Sequence, residues 1–289
     1  MALSVPDVVR LRMTDPAAVR ERLRNRQPYP GPDATEKLLV IAADHPARGA
    51  LAAGGAPMAM ARRGDLLERI VTALSRPGVS GFLGTADVVE DLALLGALDG
   101  KMVFGSMNRG GLAGACFELD DRFTAYDARG VAEAGLDGGK MLLRIDQDDP
   151  GSVSTLEACA RAVDALSERG LVAMIEPFAS HRAGGRVRND LSPDAMTRVI
   201  AIASGLGRTS AYTWLKLPVV EEMERVMAAS TLPALILGGE VREDVDAAMA
   251  GWAKALALPT ACGLVIGRSL LYPRDDDVAK AVDEAVALL

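Results

Sequence analysis

Eight short apolar runs recur along the chain, and each is followed by a segment whose apolar residues recur at every third or fourth position. That spacing is typical of amphipathic helices and is clearest in 65–74, 155–166 and 244–252. The apolar runs are nearly continuous, which indicates strands buried on both faces of a parallel sheet. We therefore predict strands at 37–44, 81–86, 101–106, 139–146, 171–178, 212–219, 232–238 and 262–267.

Alternating strands and helices predict an α/β fold with a parallel sheet. Eight such units in about 250 residues favour a single (β/α)8 TIM barrel, with a doubly wound open sheet as the weaker alternative. Residues 1–36 would form a helical extension packed on the barrel, and 37–289 would form the barrel domain. The Gly- and Arg-rich segments 108–125 and 179–190 are predicted to be long loops inserted at strand ends.

Composition limits the classes of function. The chain has 289 residues, of which 49% are hydrophobic, and its 39 acidic residues outnumber 32 basic ones. This balance argues against a broad nucleic-acid surface, which needs clustered Lys and Arg. The three cysteines lack CxxC spacing, and no apolar run has the length of a signal or a membrane span. A cytoplasmic protein without membrane contact is expected.

One lysine lies within an apolar strand and is the strongest indication of chemistry. In the run 212–219, strand alternation places Trp214, Lys216 and Pro218 on one face. Inside a barrel this amine would be partly desolvated, and desolvation favours the neutral, nucleophilic form of an amine. We therefore expect Lys216 to react with a carbonyl, although a structural ion pair is the alternative.

Further polar residues end the predicted strands, where TIM barrels carry their chemistry. Their even numbering is consistent with inward-facing positions, and they are Asp44, Lys140, Arg144, Asp146 and Glu176, with Arg48 shortly after the first strand. Glycines allow backbone N–H groups to approach an anion, so a phosphate site is expected after the last two strands, at Gly238, Gly239, Gly267 and Arg268. Tight turns would also explain these glycines. We expect His45 to be a packing residue and His181 to lie in a solvated loop.

Three of these segments occur in the order found in a known enzyme family. The three segments are Ala42–Leu51, Met174–Pro177 and Leu215–Pro218. In this order they resemble the opening motif, the Leu-Glu-Pro strand and the lysine strand of class I tagatose-bisphosphate aldolases and their sulfosugar-phosphate relatives. The resemblance covers about residues 37–273 and extends to archaeal-type fructose-bisphosphate and inositol-pathway aldolases. Those archaeal-type enzymes usually have tyrosine where Glu176 stands, so the chain is more similar to the tagatose type. Residues 108–122 match no motif of the family.

The resemblance implies a cofactor-free aldolase acting on a phosphorylated ketose or keto-acid sugar, with Lys216 as the Schiff-base lysine. Such chemistry needs an acid/base group, for which Glu176 is the candidate. Lys140 would favour the neutral amine of Lys216 and hold a substrate oxygen. Asp44 would orient Lys216 or bind a hydroxyl, and capping the next helix is its alternative role. Association into a homo-oligomer through outer helices is left open.

Two other functions are compatible with the sequence. A magnesium-dependent 2-keto acid lyase could use Asp146, Asp148, Asp149 or Glu176 as oxygen ligands. A non-catalytic sugar-phosphate-binding barrel would keep the glycine loops without turnover. A zinc enzyme finds little support because the chain has only 2 histidines. No GxGxxG motif follows the first strand, which argues against a nicotinamide enzyme.

Overall fold

The computed structural model describes residues 4–32, 36–239 and 244–289. Within these residues a 9-stranded sheet runs in the order β4-β3-β2-β1-β9-β8-β7-β5-β6, and pairing of β4 with β5 closes it. All pairings except β5–β6 are parallel. The strands are β1 (Leu38–Ala42), β2 (Gly81–Gly84), β3 (Met102–Ser106), β4 (Gly138–Ile145), β5 (Val172–Ala183), β6 (Arg186–Asp190), β7 (Thr213–Pro218), β8 (Ala234–Leu237) and β9 (Ala261–Ile266).

Helices surround this closed barrel of eight parallel strands, so the predicted TIM barrel is confirmed. They are α1 (Val5–Thr14), α2 (Pro16–Arg24), α3 (Arg63–Leu74), α4 (Ala86–Leu94), α5 (Ala128–Glu133), α6 (Gly151–Ser167), α7 (Pro193–Ser204), α8 (Met223–Met227), α9 (Val245–Leu256), α10 (Arg268–Leu271) and α11 (Val278–Val286). Several begin where a side-chain oxygen accepts a first-turn N–H, which satisfies an otherwise unpaired backbone donor. These N-caps are Asp15, Asp127, Ser192, Asp244 and Asp277.

Strand alternation divides the apolar residues between two cores. Side chains such as Val40, Phe104 and Met174 pack together inside the barrel, with Trp214 against Phe104 at a ring-centroid distance of 6.1 Å. Their odd-numbered neighbours, such as Ile41, pack outward against the helices. The inward positions beyond this apolar layer are where the polar residues of the strands occur.

The N-terminal helices pack on the outside of the barrel. Val8 of α1 and Val19 of α2 form a small apolar cluster with Leu94 at the end of α4. Arg26 donates to a carboxylate oxygen of Asp137 at 3.0 Å, which ties the following segment to the start of β4. In the described part of the chain, no helix is long and apolar enough to cross a membrane.

One predicted loop is wrong. Within 179–190, β5 continues to Ala183 and β6 returns antiparallel to it, forming a hairpin. The two residues between the strands, Gly184 and Gly185, have φ values of 58° and 76°, both in the left-handed region that a type I′ hairpin turn requires. The segment 108–125 is irregular, as predicted, apart from a short bridge between Asn108 and Phe123.

Candidate active site

A cavity of about 770 Å³ opens at the carboxyl ends of the barrel strands. Most of the residues singled out in the sequence meet in this cavity. Its lining includes Asp44, Arg48, Lys140, Arg144, Glu176, Lys216, Gly238, Gly239, Gly267 and Arg268.

The floor of the cavity holds two buried lysines joined by one carboxylate. Lys216 Nζ on β7 donates to Glu176 Oε1 on β5 at 2.6 Å. Lys140 Nζ on β4 lies 2.5 Å from the other oxygen, Glu176 Oε2. Each oxygen of Glu176 therefore contacts a different ammonium, and the inward register of three neighbouring strands fixes this triad.

Asp44, just after β1, is a second buried carboxylate beside this triad. Its Oδ2 accepts from Lys140 Nζ at 3.2 Å and from Ser106 Oγ at 3.0 Å, and Arg109 Nη2 lies 3.2 Å away. Burial alone would raise the pKa of Asp44, but Arg109 and Lys140 outweigh it and hold the pKa well below its usual range. Asp44 is therefore an anion that fixes the position of Lys140.

The charges of the triad follow from its burial and mutual contacts. Burial would raise the pKa of Glu176, but Lys140 and Lys216 lower it to about 2, so the carboxyl is ionised at neutral pH. Burial lowers the pKa of Lys140 more than the two carboxylates raise it. The resting site thus contains a negative Glu176 in direct contact with both lysine side chains.

Arg144 lines the cavity, but its guanidinium is already bound by the irregular 108–125 segment. Nη1 donates to Glu118 Oε1 at 2.5 Å and Nη2 donates to the Glu118 carbonyl oxygen at 2.7 Å. The sequence prediction of Arg144 as a substrate ligand did not anticipate this partner. Glu118 is one of the residues that sequence reasoning missed, because nothing in an irregular loop indicates which strand residue it will contact.

Asp146 does not lie among the cavity-lining residues, in contrast to its predicted place with the others. The strand ends at Ile145, and strand parity no longer applies beyond that point. The Asp146 carboxylate accepts the N–H of Asp148 at 3.1 Å, and its backbone N–H and C=O both bond the Ser152 hydroxyl. This carboxylate organises the turn into α6.

Packing requires two of the glycines after β8 and β9, and the backbone conformation favours the third. A Cβ at Gly267 would lie 2.3 Å from the Ala42 carbonyl oxygen, and one at Gly238 would lie 2.7 Å from Ile266 Cγ2. Gly239 has a φ of 72°, in the left-handed region. These close approaches leave backbone at the cavity wall beside Arg268, as a phosphate site needs.

His45 lines the cavity, although its parity suggested a packing role. Burial is the main cause that lowers its pKa to about 3, so the imidazole is neutral at physiological pH. Its Nδ1 is 3.8 Å from Asp44 Oδ1. Other lining residues that sequence reasoning did not identify as site residues are Arg109, Glu118, Arg188 and Trp252.

Among the residues the structure describes, no group of three or more His, Cys, Asp or Glu side chains could hold a metal ion. Three of the four carboxylates considered as magnesium ligands, those of Asp146, Asp149 and Glu176, already accept hydrogen bonds. Asp149 accepts from Arg182 Nε at 2.9 Å and from the Gly151 N–H at 2.9 Å, and Glu176 is bound by the two lysines.

Comparisons with known proteins agree with this architecture. A family model described as Cgl0159-like matches residues 36–286. Cgl0159 from Corynebacterium glutamicum (Brevibacterium flavum) is 52% identical to this chain in sequence, and its crystal structure matches with a TM-score of 0.96. The match covers 100% of this chain and 98% of the Cgl0159 chain. The search of curated proteins gave no match.

More distant structures share the fold. An archaeal fructose 1,6-bisphosphate aldolase is 15% identical with a TM-score of 0.65, covering 93% of this chain and 98% of its own. An archaeal fructose-1,6-bisphosphate aldolase whose catalytic Lys is covalently bound to the carbinolamine intermediate of the substrate is 16% identical, with a TM-score of 0.63 and the same coverages of 93% and 98%. At these identities the likeness is one of fold.

Proposed function

The chain belongs to the Cgl0159-like family, and we propose that it is a class I aldolase that cleaves a phosphorylated ketose or keto-acid sugar through a Schiff base on Lys216. The observation that carries this proposal is the 2.6 Å contact of Lys216 Nζ with Glu176 Oε1 inside the barrel-mouth cavity. A nucleophilic amine and a proton acceptor in direct contact are the pair that imine formation requires.

The first step is addition of the amine to the substrate carbonyl. Lys216 must lose a proton before its lone pair can attack, and the ionised Glu176 is in position to accept that proton. The carbinolamine hydroxyl then takes the proton back from Glu176 and leaves as water. The C–N bond becomes an iminium, and Glu176 is a carboxylate again.

The iminium then receives the electrons of the breaking carbon–carbon bond. A base removes the proton of the hydroxyl group on the carbon that lies two positions from the imine carbon, and this hydroxyl-bearing carbon becomes an aldehyde. The electron pair of the broken carbon–carbon bond moves toward the iminium and forms an enamine on Lys216. Glu176 is the nearest carboxylate to Lys216 and is our candidate for this base. Protonation of the enamine carbon and hydrolysis of the imine release the second product and restore the amine.

Lys140 and Asp44 complete the proposed machinery. Lys140 shares Glu176 with Lys216, so its charge helps to keep Glu176 ionised and is available to a substrate oxygen. Asp44 holds Lys140 at 3.2 Å through a carboxylate that is itself fixed by Ser106 and Arg109. The proposed phosphate ligands are the backbone after β8 and β9 together with Arg268. The archaeal aldolase with a carbinolamine on its catalytic lysine supports this chemistry by analogy of fold.

The test is an aldol condensation assay with dihydroxyacetone phosphate and a panel of aldehydes, in the presence and absence of EDTA. We expect product formation that EDTA leaves unchanged and that Lys216→Met abolishes. Lys101→Met is the matched control, because Lys101 lies outside the cavity and donates to the Val79 carbonyl oxygen. Activity that requires Mg²⁺, or that survives in Lys216→Met, would refute the Schiff-base proposal.

A further inference from the structure

The cavity carries more positive charge than the proposed chemistry and a single phosphate require. Among the described residues of its lining, seven are lysine or arginine and three are aspartate or glutamate. The chain as a whole has a net charge of −7, so this excess is local. A cavity of this kind favours an anionic ligand with charge at more than one point.

The excess charge lies at two places on opposite sides of the barrel mouth. One place lies beside β3 and β4, and the other lies beside β8 and β9. Two strands separate these pairs in each direction around the barrel, β5 and β7 one way and β2 and β1 the other. The glycine loops and Arg268 follow β8 and β9. Arg48, by contrast, extends to the segment that follows β3, where its Nε donates to the Gly111 carbonyl oxygen at 3.0 Å. Lys216 on β7 and Glu176 on β5 lie between the two places.

Among the described arginines at this second place, Arg48 lies farthest from its nearest carboxylate, so its guanidinium end is the least engaged. The exposed fraction of the residue is 9%, and in the described part of the chain the Gly111 contact is its one side-chain hydrogen bond. Its nearest carboxylate oxygen, Glu118 Oε1, is 3.7 Å away and is bound by Arg144 at 2.5 Å. The other nearby guanidinium, that of Arg109, is paired with Asp44.

The 108–125 segment holds this arrangement in place. Asn108 exchanges two hydrogen bonds with the backbone of Leu142 on β4, at 2.5 and 2.8 Å, which fixes the start of the segment to the barrel. Asp121 accepts the Gly111 N–H at 2.9 Å and so orients the carbonyl that receives Arg48. Burial raises the pKa of Asp121. Burial is also the main cause that lowers the pKa of Arg48 to about 10, and the positive charges of Arg144 and Arg109 lower it further. Arg48 remains charged at neutral pH.

We propose that Arg48, supported by the 108–125 segment, binds a carboxylate at the end of the substrate opposite to its phosphate. This proposal rests on the proposed function and narrows its substrate class to phosphorylated keto-acid sugars. Such a molecule would extend from the glycine loops across Lys216 to Arg48, which brings its internal carbonyl over the amine.

A carboxylate fits this place better than a second phosphate. A single guanidinium presents a planar fork that matches the two oxygens of one carboxylate. A phosphate dianion would bring twice the charge to the same single fork, 3.7 Å from the Glu118 carboxylate. Among the described lining residues, no glycine pair comparable to Gly238–Gly239 lies here to supply backbone donors.

The test uses three open-chain ligands that have no ketone and cannot form an imine: 6-phosphogluconate, glucitol 6-phosphate and glucitol 1,6-bisphosphate. Calorimetric Kd values are compared for wild type, Arg48→Gln, Arg48→Lys and Arg186→Gln. Arg186 is the matched control, an exposed arginine of the hairpin that does not line the cavity. Melting temperatures and the Kd of glucitol 6-phosphate report whether each variant keeps its fold and phosphate site.

We expect wild type and Arg186→Gln to bind 6-phosphogluconate roughly ten- to a hundredfold more tightly than glucitol 6-phosphate, and more tightly than the bisphosphate. Arg48→Gln should lose this preference, and Arg48→Lys should keep part of it. Equal binding of 6-phosphogluconate and glucitol 6-phosphate, tighter binding of the bisphosphate, or a preference that survives in Arg48→Gln would overturn the proposal. Because no imine is involved, these results do not depend on whether Lys216 is a Schiff-base lysine.

Discussion

Among the described residues, Glu176 carries the one negative charge that both buried lysines contact, and substitution by glutamine removes it. The two Glu176 oxygens each accept from a different ammonium, at 2.6 Å for Lys216 and 2.5 Å for Lys140. An amide has only one acceptor end, so its NH2 group would face an ammonium and leave that donor without a partner. Lys140 would retain Asp44, whereas Lys216 has no other carboxylate contact among the described residues.

The size of the effect can be bounded from these distances. At an effective dielectric constant of about 20, an ion pair 2.6 Å apart corresponds to roughly 6 kcal/mol of gross Coulomb energy. Much of this offsets the desolvation of the ions, and breaking a buried pair typically costs about 3–5 kcal/mol. We therefore expect Glu176→Gln to lower the free energy of unfolding by about 3 kcal/mol at neutral pH.

The variant should also lose the proton acceptor for imine formation. We expect the rate of borohydride trapping with dihydroxyacetone phosphate to fall by about 10²–10⁴-fold. Urea unfolding followed by circular dichroism and trapping followed by intact-mass spectrometry measure the two effects on the same samples. Asp137→Asn is the matched control, because it breaks an ion pair with Arg26 at 3.0 Å but does not touch the cavity.

The control should lose stability without losing trapping. A folded Glu176→Gln protein that traps the ketone as fast as wild type would refute the acid/base role of this residue. Unchanged stability would show instead that the triad is not held by the charge of its carboxylate.

Three further predictions concern the rest of the site. Acid should weaken the fold between about pH 4.5 and 2, because the folded pKa of Glu176 lies near 2 against an ordinary 4.5; urea titrations should show up to about 3 kcal/mol of stability, present above this range, lost in wild type but not in Glu176→Gln. Gly267→Ala should destabilise by about 1–3 kcal/mol, since its Cβ would lie 2.3 Å from the Ala42 carbonyl oxygen, whereas Gly64→Ala, with nothing within 4 Å, should not; equal melting temperatures would contradict this. Arg268→Gln should raise the Kd of glucitol 6-phosphate roughly tenfold in calorimetry but leave imine trapping of an unphosphorylated ketone intact, and an unchanged Kd would exclude Arg268 from phosphate binding.

Features that depend on local periodicity could be predicted from the sequence. The barrel follows from eight apolar runs separated by helical spacing, and most strand boundaries differ from the prediction by one or two residues because frayed ends carry little signal. Lys216 and Glu176 were assigned inward positions by parity alone. Strand alternation is strict within a paired strand, so both side chains do reach the same cavity.

Features that depend on non-local contacts could not be predicted. Strand parity predicts that Arg144 faces the inside of the barrel, but it does not predict the contact with Glu118. That residue lies in an irregular segment, 26 residues earlier in the sequence. The same parity failed for Asp146, which lies one residue beyond the end of β4. The hairpin of β5 and β6 has a signal in its Gly184–Gly185 pair, but the polar residues around that pair favour a loop when only the sequence is considered.

The most direct test of the central claim is to identify which lysine, if any, becomes covalently modified. Wild-type protein would be incubated in three separate samples with dihydroxyacetone phosphate, pyruvate or malonic semialdehyde, and each sample would be reduced with sodium borohydride. The protein would then be digested and its peptides mapped by mass spectrometry. We predict a reduced adduct on the peptide containing Lys216 and none on the peptide containing Lys140. An adduct on Lys140, or none on folded protein with any of the three, would contradict it.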